Sequence, residues 1–270
     1  MYTKEQLLEH IQELGIKPDD TLLIHSSMKS IGPVEGRAGT VLDCFSEYMK
    51  DGLLIFPTHT WAQINSRNPV FDVENEPTCV GILTELFRKR PGVIRSWHPT
   101  HSVAALGNDA AEFVEGQEKF NTPCARESCW GKLYDRRAKI LFIGCGLNRN
   151  TIIHGVEEWN DIPNRLTPNP EPLKVLTPDG RLLDSPQYRH YSPPVPLISE
   201  HYVILEKPLV ETGIATIGRL GDARTILCDV VPMVNLVSDF LQRDPDLFMK
   251  TDPIPTEWYA GVEPNYDILL

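Results

Sequence analysis

The chain has 270 residues, 41% hydrophobic and 23% charged, enough for one large domain with a full core. A formal charge of −11 argues against nucleic acid as a partner and permits a cationic ligand. No apolar run approaches the ~20 residues of a membrane helix, and MYTKEQLLEHIQELG reads as an amphipathic helix rather than a signal peptide, so a cytoplasmic protein without a membrane partner is expected.

The predicted elements begin with a helix over Thr3–Leu14. Thr3 and Gln6 form a capping-box pattern, Leu7, Leu8, Ile11 and Leu14 make the buried face, and Gly15 ends it. Thr21–His25 reads as an interior strand, and Ser26–Gly39 as a loop of hydroxyls and glycines before a helix over Thr40–Met49. Backbone N–H groups in such a strand–loop–helix unit can receive phosphate or amide oxygens, although a plain βα connection has the same pattern. Leu53–Phe56 is a second interior strand. Pro57-Thr58-His59-Thr60 stands at its C-terminal end, where ligands of open α/β sheets gather.

Trp61–Thr78 is polar and irregular, a segment that can fold over a site, and Gly81–Lys89 is a helix ended by Pro91. Val93–His101 leads into a strand over Ser102–Leu106. His98 and His101 flank Pro99, but their spacing lacks a carboxylate or a third ligand, so no metal is expected. A short helix over Asn108–Gly116 and a loop over Phe120–Lys132 follow.

Lys139–Asp161 is the most informative stretch. Ile140–Ile143 forms a buried strand, Gly144 and Gly146 a turn, and Asn150 the expected N-cap of a helix. Ile152, Val156 and Trp159 share its apolar face. His154 and Glu157 share the opposite, wet face, either as a solvated pair or as a base with its orienting partner.

Pro163, Pro168, Pro170 and Pro172 make a long connector and the one candidate subdomain boundary. Leu173–Leu176 and Arg181–Leu183 read as a hairpin, Tyr188–Pro196 as a polar-aromatic loop, and Ser199–Glu206 as helical. Ile214–Leu220 and Thr225–Leu227 are strands around Gly221-Asp222. Asp229 caps a last helix, and Asp252–Leu270 is a proline-broken tail. The six cysteines (Cys44, Cys79, Cys124, Cys129, Cys145, Cys228) contain no C-x-x-C pair and read as reduced thiols.

Asn150–Glu157, NTIIHGVE, resembles the Asn-Thr-x-x-His-x-x-Glu signature of the aminoglycoside 3-N-acetyltransferase family. His25-Ser26-Ser27-Met28-Lys29-Ser30-Ile31-Gly32, Pro57-Thr58-His59-Thr60 and Arg95-Ser96-x-His98-Pro99-x-x-Ser102 agree in order, as do Leu83–Pro91 and Gly131–Tyr134. Ordered motifs are far more specific than any one alone. The resemblance implies an α/β fold with a mixed central sheet, helices on both faces and a β-richer C-terminal part. It implies a single domain over 1–270, with 1–162 binding the donor and carrying catalysis and 163–270 completing the acceptor pocket.

The implied reaction is N-acetylation of an amine by acetyl-coenzyme A as co-substrate, without a metal. The implied acceptor is the 3-amino group of a 2-deoxystreptamine aminoglycoside, a small and cationic amine. His154 is then the general base and Glu157 its orienter or a substrate ligand. His25, Ser26, Ser27 and Ser30 contact the coenzyme, with Thr58, His98 and Ser102 as wall residues. A polyamine acceptor calls for acidic groups, and Asp72, Glu74, Glu76, Glu157, Glu158 and Asp161 lie in suitable segments. After Pro163 the chain departs from the family pattern, with Tyr188–Pro196 in place of a more acidic stretch, so a non-antibiotic amine is the alternative acceptor.

The rival readings are a thiol hydrolase using Cys145 and His154, and a small-molecule binding protein without turnover. G-x-S-x-G, the P-loop and the glycine-rich pyrophosphate loop of the general N-acetyltransferase superfamily are absent. A homodimer is the default assembly.

Overall fold

The computed structural model describes all 270 residues. Its first half runs α1 (Lys4–Glu13), β1 (Thr21–Ser26), α2 (Ala38–Tyr48), β2 (Leu53–Pro57), β3 (Val70–Asp72), α3 (Ile82–Phe87), β4 (Ile94–Arg95), β5 (Val103–Gly107), α4 (Ala110–Val114) and α5 (Cys129–Asp135). β6 (Lys139–Ile143), α6 (Ile152–Trp159), β7 (Lys174–Leu176), β8 (Leu182–Asp184), α7 (Glu206–Glu211), β9 (Ala215–Leu220), β10 (Ala223–Asp229) and α8 (Val230–Arg243) follow.

The central sheet has seven strands in the order β4-β5-β2-β1-β6-β10-β9. β2, β1 and β6 are parallel, and the outer strands are antiparallel to their neighbours. The sheet is mixed, as expected, and helices cover both faces. β10 pairs with β6, so strands from either side of the proline-rich connector share one sheet.

The strands are continuous apolar runs because successive side chains enter two different cores. Leu23, Ile55, Ile140 and Phe142 face the core shared with α4, α5, α6 and α8. Leu22, Ile24, Leu54, Phe56, Leu141 and Ile143 face the core shared with α1, α2 and α3. A second sheet of three strands, β3-β7-β8, closes over Ile64, Phe71, Val73, Leu173 and Val175. It includes the expected hairpin, with Val175 paired to Leu183. Its β3 lies inside the segment read as irregular, since three residues between prolines carry too little periodicity to register.

Three local expectations need correction. Helix α6 starts at Ile152 with Thr151 at the cap position, and Asn150 instead turns its Nδ2 to Met233 Sδ at 3.3 Å. Part of the loop predicted over Phe120–Lys132 is helical, because Ser128 accepts the N–H of Trp130 and starts α5. The stretch read as a helix over Ser199–Glu206 is a 3-10 helix over Ile198–Leu205 that passes directly into α7. No helix is long and apolar enough to cross a membrane.

Candidate active site

β1 has parallel neighbours on both sides, β2 and β6, so the chain leaves it in opposite directions. Open sheets bind ligands at such a switch point, beyond the strand C-termini. A cavity of about 800 Å³ opens there, walled by His25, Ser26 and Ser27 after β1, Pro57 and His59 after β2, and Gly144–Gly146 after β6. Ser27 N–H donates to Ile143 O at 2.8 Å, which ties the serine turn to the glycine turn. Gly144 has φ +61°, and a Cβ there would meet the Cβ of Ser30 at 2.2 Å, so only glycine lets the turns approach this closely.

His154 sits in the first turn of α6 and faces the cavity. Glu157, one turn on, is fully buried rather than on a wet face. Its Oε1 accepts Arg165 Nε at 2.5 Å, and its Oε2 accepts the Tyr202 hydroxyl at 2.6 Å. That hydroxyl is also 2.7 Å from His154 Nδ1, whereas Nδ1 and Glu157 Oε2 are 3.7 Å apart. Tyr202 therefore stands between the two groups that the sequence pairs directly.

Proton bookkeeping then sets the tautomer. The phenol has one proton and gives it to a carboxylate, which can only accept. The phenol oxygen must then accept from His154 Nδ1–H. The remaining lone pair is on Nε2, which has no protein partner and is not sealed off. The ring of His190 stacks on that of His154 with centroids 3.8 Å apart, fixing its plane.

His25, Ser26 and Ser27 line the cavity, and Ser30, Thr58, His98 and Ser102 do not. Ser30 Oγ packs under the glycine turn, 2.9 Å from Ser27 Oγ and 3.2 Å from Gly144 O. Thr58 and Ser102 are fully buried with hydroxyls 2.9 Å apart, and Arg95 Nε lies 3.3 Å from both. His98 Nδ1 accepts the N–H groups of Thr100 and His101, and its Nε2 is 3.0 Å from Thr122 O. The polar atoms of these four residues are hydrogen-bonded within the protein.

His59, His101, Arg189, His190, Tyr202 and Arg165 were not among the site residues picked from the sequence. His59 follows Thr58, and along extended backbone neighbours point opposite ways, so one enters the core and the other the cavity. His101 packs tilted against His59 and edge-on against His190, and the polar-aromatic loop that supplies Arg189 and His190 was the available signal. Tyr202 and Arg165 had none. Burial pushes the His25 imidazole down to about 3 and the His98 imidazole to about 4. Burial, reinforced by neighbouring imidazoles, holds His59, His101 and His190 well below the usual range. The floor of the site is therefore a bed of neutral rings at physiological pH.

None of Asp72, Glu74, Glu76, Glu157, Glu158 and Asp161 lines the cavity. Asp72 accepts the N–H groups of Glu74 and Asn75, and Glu158 accepts that of Cys124 at 3.1 Å. Cys124, Glu158 and His190 bring three donor atoms within 4.8 Å of one another. The Cys124 thiol, however, is directed at Thr151 O, and burial raises its pKa well above the usual value. Cys145 lines the cavity, but burial pushes its thiol up to about 11, which counts against a thiolate nucleophile.

Residues 23–242 match the family described as aminoglycoside 3-N-acetyltransferase. Aminoglycoside N(3)-acetyltransferase III of Serratia marcescens is 27% identical over 199 residues, 67% of this chain and 73% of the relative. The solved structure of aminoglycoside acetyltransferase AAC(3)-IVa in complex with a gentamicin has a TM-score of 0.80 at 24% identity, covering 97% of this chain and 95% of its own. That of AAC-IIIb with CoASH has a TM-score of 0.76 at 20% identity, covering 90% and 97%. With the family match spanning most of its length and the same fold throughout, the chain belongs to the aminoglycoside 3-N-acetyltransferase family.

Proposed function

We propose that this chain transfers the acetyl group of acetyl-coenzyme A to an amine, with His154 as general base. The observation that carries the reading is the unpartnered Nε2 of His154 on the cavity wall, its opposite nitrogen committed to Tyr202 and Glu157. The acceptor arrives as an ammonium, which has no lone pair, and Nε2 removes one proton. The amine nitrogen then bonds to the thioester carbonyl carbon. As the tetrahedral intermediate collapses, the nitrogen releases its second proton to solvent, the C–S bond breaks, the amide forms, and the thiolate takes the first proton from the imidazolium. The base ends as it began, and no covalent enzyme intermediate is required. Base catalysis of this kind contributes ~10²–10⁴-fold.

The donor is placed along Ser26, Ser27 and the glycine turn, where Asn148 and Arg149 also face the cavity. A relative of the same fold binds CoASH, in keeping with that placement. The domain reading follows: 1–162 supplies the donor wall and the base, and 163–270 supplies Arg189, His190 and Tyr202 around it, all in a single domain. The relatives' names refer to the 3-amine of aminoglycosides, which supports an amine on an aminocyclitol or amino-sugar ring as acceptor.

The test is thiol release from acetyl-coenzyme A across a panel of such amines. Amine-dependent release with a matching N-acetyl product is expected. Release that no amine accelerates would exclude the reading.

A further inference from the structure

Glu157 is the only acidic residue of the chain that is fully buried, and Arg165, packed against it, is nearly so. The guanidinium is pinned on three sides. Its Nε donates to Glu157 Oε1 at 2.5 Å, its Nη1 to Pro163 O at 3.1 Å and its Nη2 to Pro245 O at 3.1 Å. It is therefore held by α6, by the connector after α6 and by the turn after α8. Arg165 does not line the cavity.

The other ionisable groups around Glu157 are Tyr202, His154, Glu158 and, beyond the phenol, Cys124. Burial keeps the protons on the Tyr202 phenol and the Cys124 thiol. Glu158 brings charge of the same sign, and burial keeps His190, stacked on His154, neutral. Arg165 is the one fixed cation that faces the carboxylate.

A carboxylate shut away from water keeps its charge only when it is paired. An ionised Glu157 has no proton to give, so every hydrogen bond in the row points toward it. His154 Nδ1–H donates to the phenol oxygen, the phenol to Oε2, and Arg165 to Oε1. Without the cation the carboxyl takes up a proton. Its O–H then donates to the phenol oxygen, the phenol donates to Nδ1, and the ring carries its proton on Nε2. No lone pair is then left facing the cavity.

We infer that Arg165 is a positioning residue for the transfer: its charge keeps Glu157 an acceptor and so keeps the lone pair of His154 on Nε2. This rests on the acetyl-transfer reading above and names a residue that the base requires without touching it.

The experiment uses the full chain and two variants. Arg165→Gln keeps a hydrogen-bond donor for Oε1 but no charge. Arg165→Lys keeps a charge but not the planar fork that also holds the two carbonyls. Nitrogen-15 NMR of labelled histidine reads the tautomer near pH 7, with His154→Ala identifying the signal. Amine-dependent thiol release gives kcat for each variant relative to wild type across pH.

Wild type is expected to show Nδ1–H and Arg165→Gln to show Nε2–H. Unpaired buried carboxyls titrate at about 8–9, so kcat of Arg165→Gln should be about 10–100-fold low near pH 7 and recover above about pH 9. Arg165→Lys should lose stability as Arg165→Gln does, yet keep Nδ1–H and a kcat within about fivefold of wild type. A retained Nδ1–H in Arg165→Gln, or equal pH-independent losses in both variants, would overturn the inference and leave His154 as base. If Arg165→Gln does not fold, Arg165→Lys decides, and Nε2–H there overturns the inference. Nε2–H in wild type would overturn both the inference and the general-base reading.

Discussion

The hydroxyl of Tyr202 lies 2.7 Å from Nδ1 of His154, although the two residues are 48 apart in the chain. Removing that oxygen leaves Nδ1 and Glu157 Oε2 without partners 3.7 Å apart, too far for a direct bond. Tyr202→Phe is expected to lower kcat about 10–100-fold and to shift the pH–rate profile, with KM for acetyl-coenzyme A within about twofold of wild type. Stability should fall by about 1–3 kcal/mol, the usual cost of leaving buried polar groups unmade. Stopped-assay kinetics across pH and urea melts check both parts.

His154→Ala removes the base together with the ring that stacks on His190, at a side chain that opens partly to the cavity and lies outside the main apolar core. Turnover is expected to drop at least ~100-fold with the melting temperature within a few degrees of wild type. Near-wild-type turnover in a folded variant would remove His154 from the mechanism.

Acid should destabilise the protein early. His25, His59, His98, His101 and His190 are all held below 6.5 when folded, so the unfolded chain binds more protons once pH falls beneath that value. Their stabilising contribution is complete above pH 6.5 and is lost as pH falls through the folded values, about 4 for His98 and about 3 for His25. Each adds a slope of about 1.4 kcal/mol per pH unit. Denaturant melts from pH 8 to 5 should show a steep loss below 6.5, and His98→Asn should flatten it by about one proton's worth.

Glu158 carries the opposite sign. Burial raises its carboxyl from 4.5 to about 7, so its protonated form suits the fold. Stability linked to it is fully present below 4.5 and is lost as pH rises through about 7, a difference on the order of 3 kcal/mol. Glu158→Gln keeps an acceptor for the Cys124 N–H and cannot ionise. It is expected to be about 1–3 kcal/mol more stable than wild type at pH 8 and close to it at pH 5, measured by urea unfolding at both.

Sequence by itself determined the elements whose cause is local. The apolar runs Thr21–His25, Leu53–Phe56 and Ile140–Ile143 became the parallel strands, because a strand buried on both faces needs an unbroken run. The spacing in Asn150–Glu157 placed His154 and Glu157 one helical turn apart, and the ordered motifs identified the family.

Tertiary structure alone decided what those residues touch. The helix face read as wet is buried because Arg165 and Tyr202 close over Glu157, and neither is linked to it by any periodicity. Thr58 and Ser102 were drawn inward to Arg95, while His59 beside them turned to the cavity, because the pleat sends neighbours to opposite sides. Local geometry follows from residue spacing, whereas the partner of a buried polar atom depends on how distant segments pack, and the proton on His154 is set by such a partner.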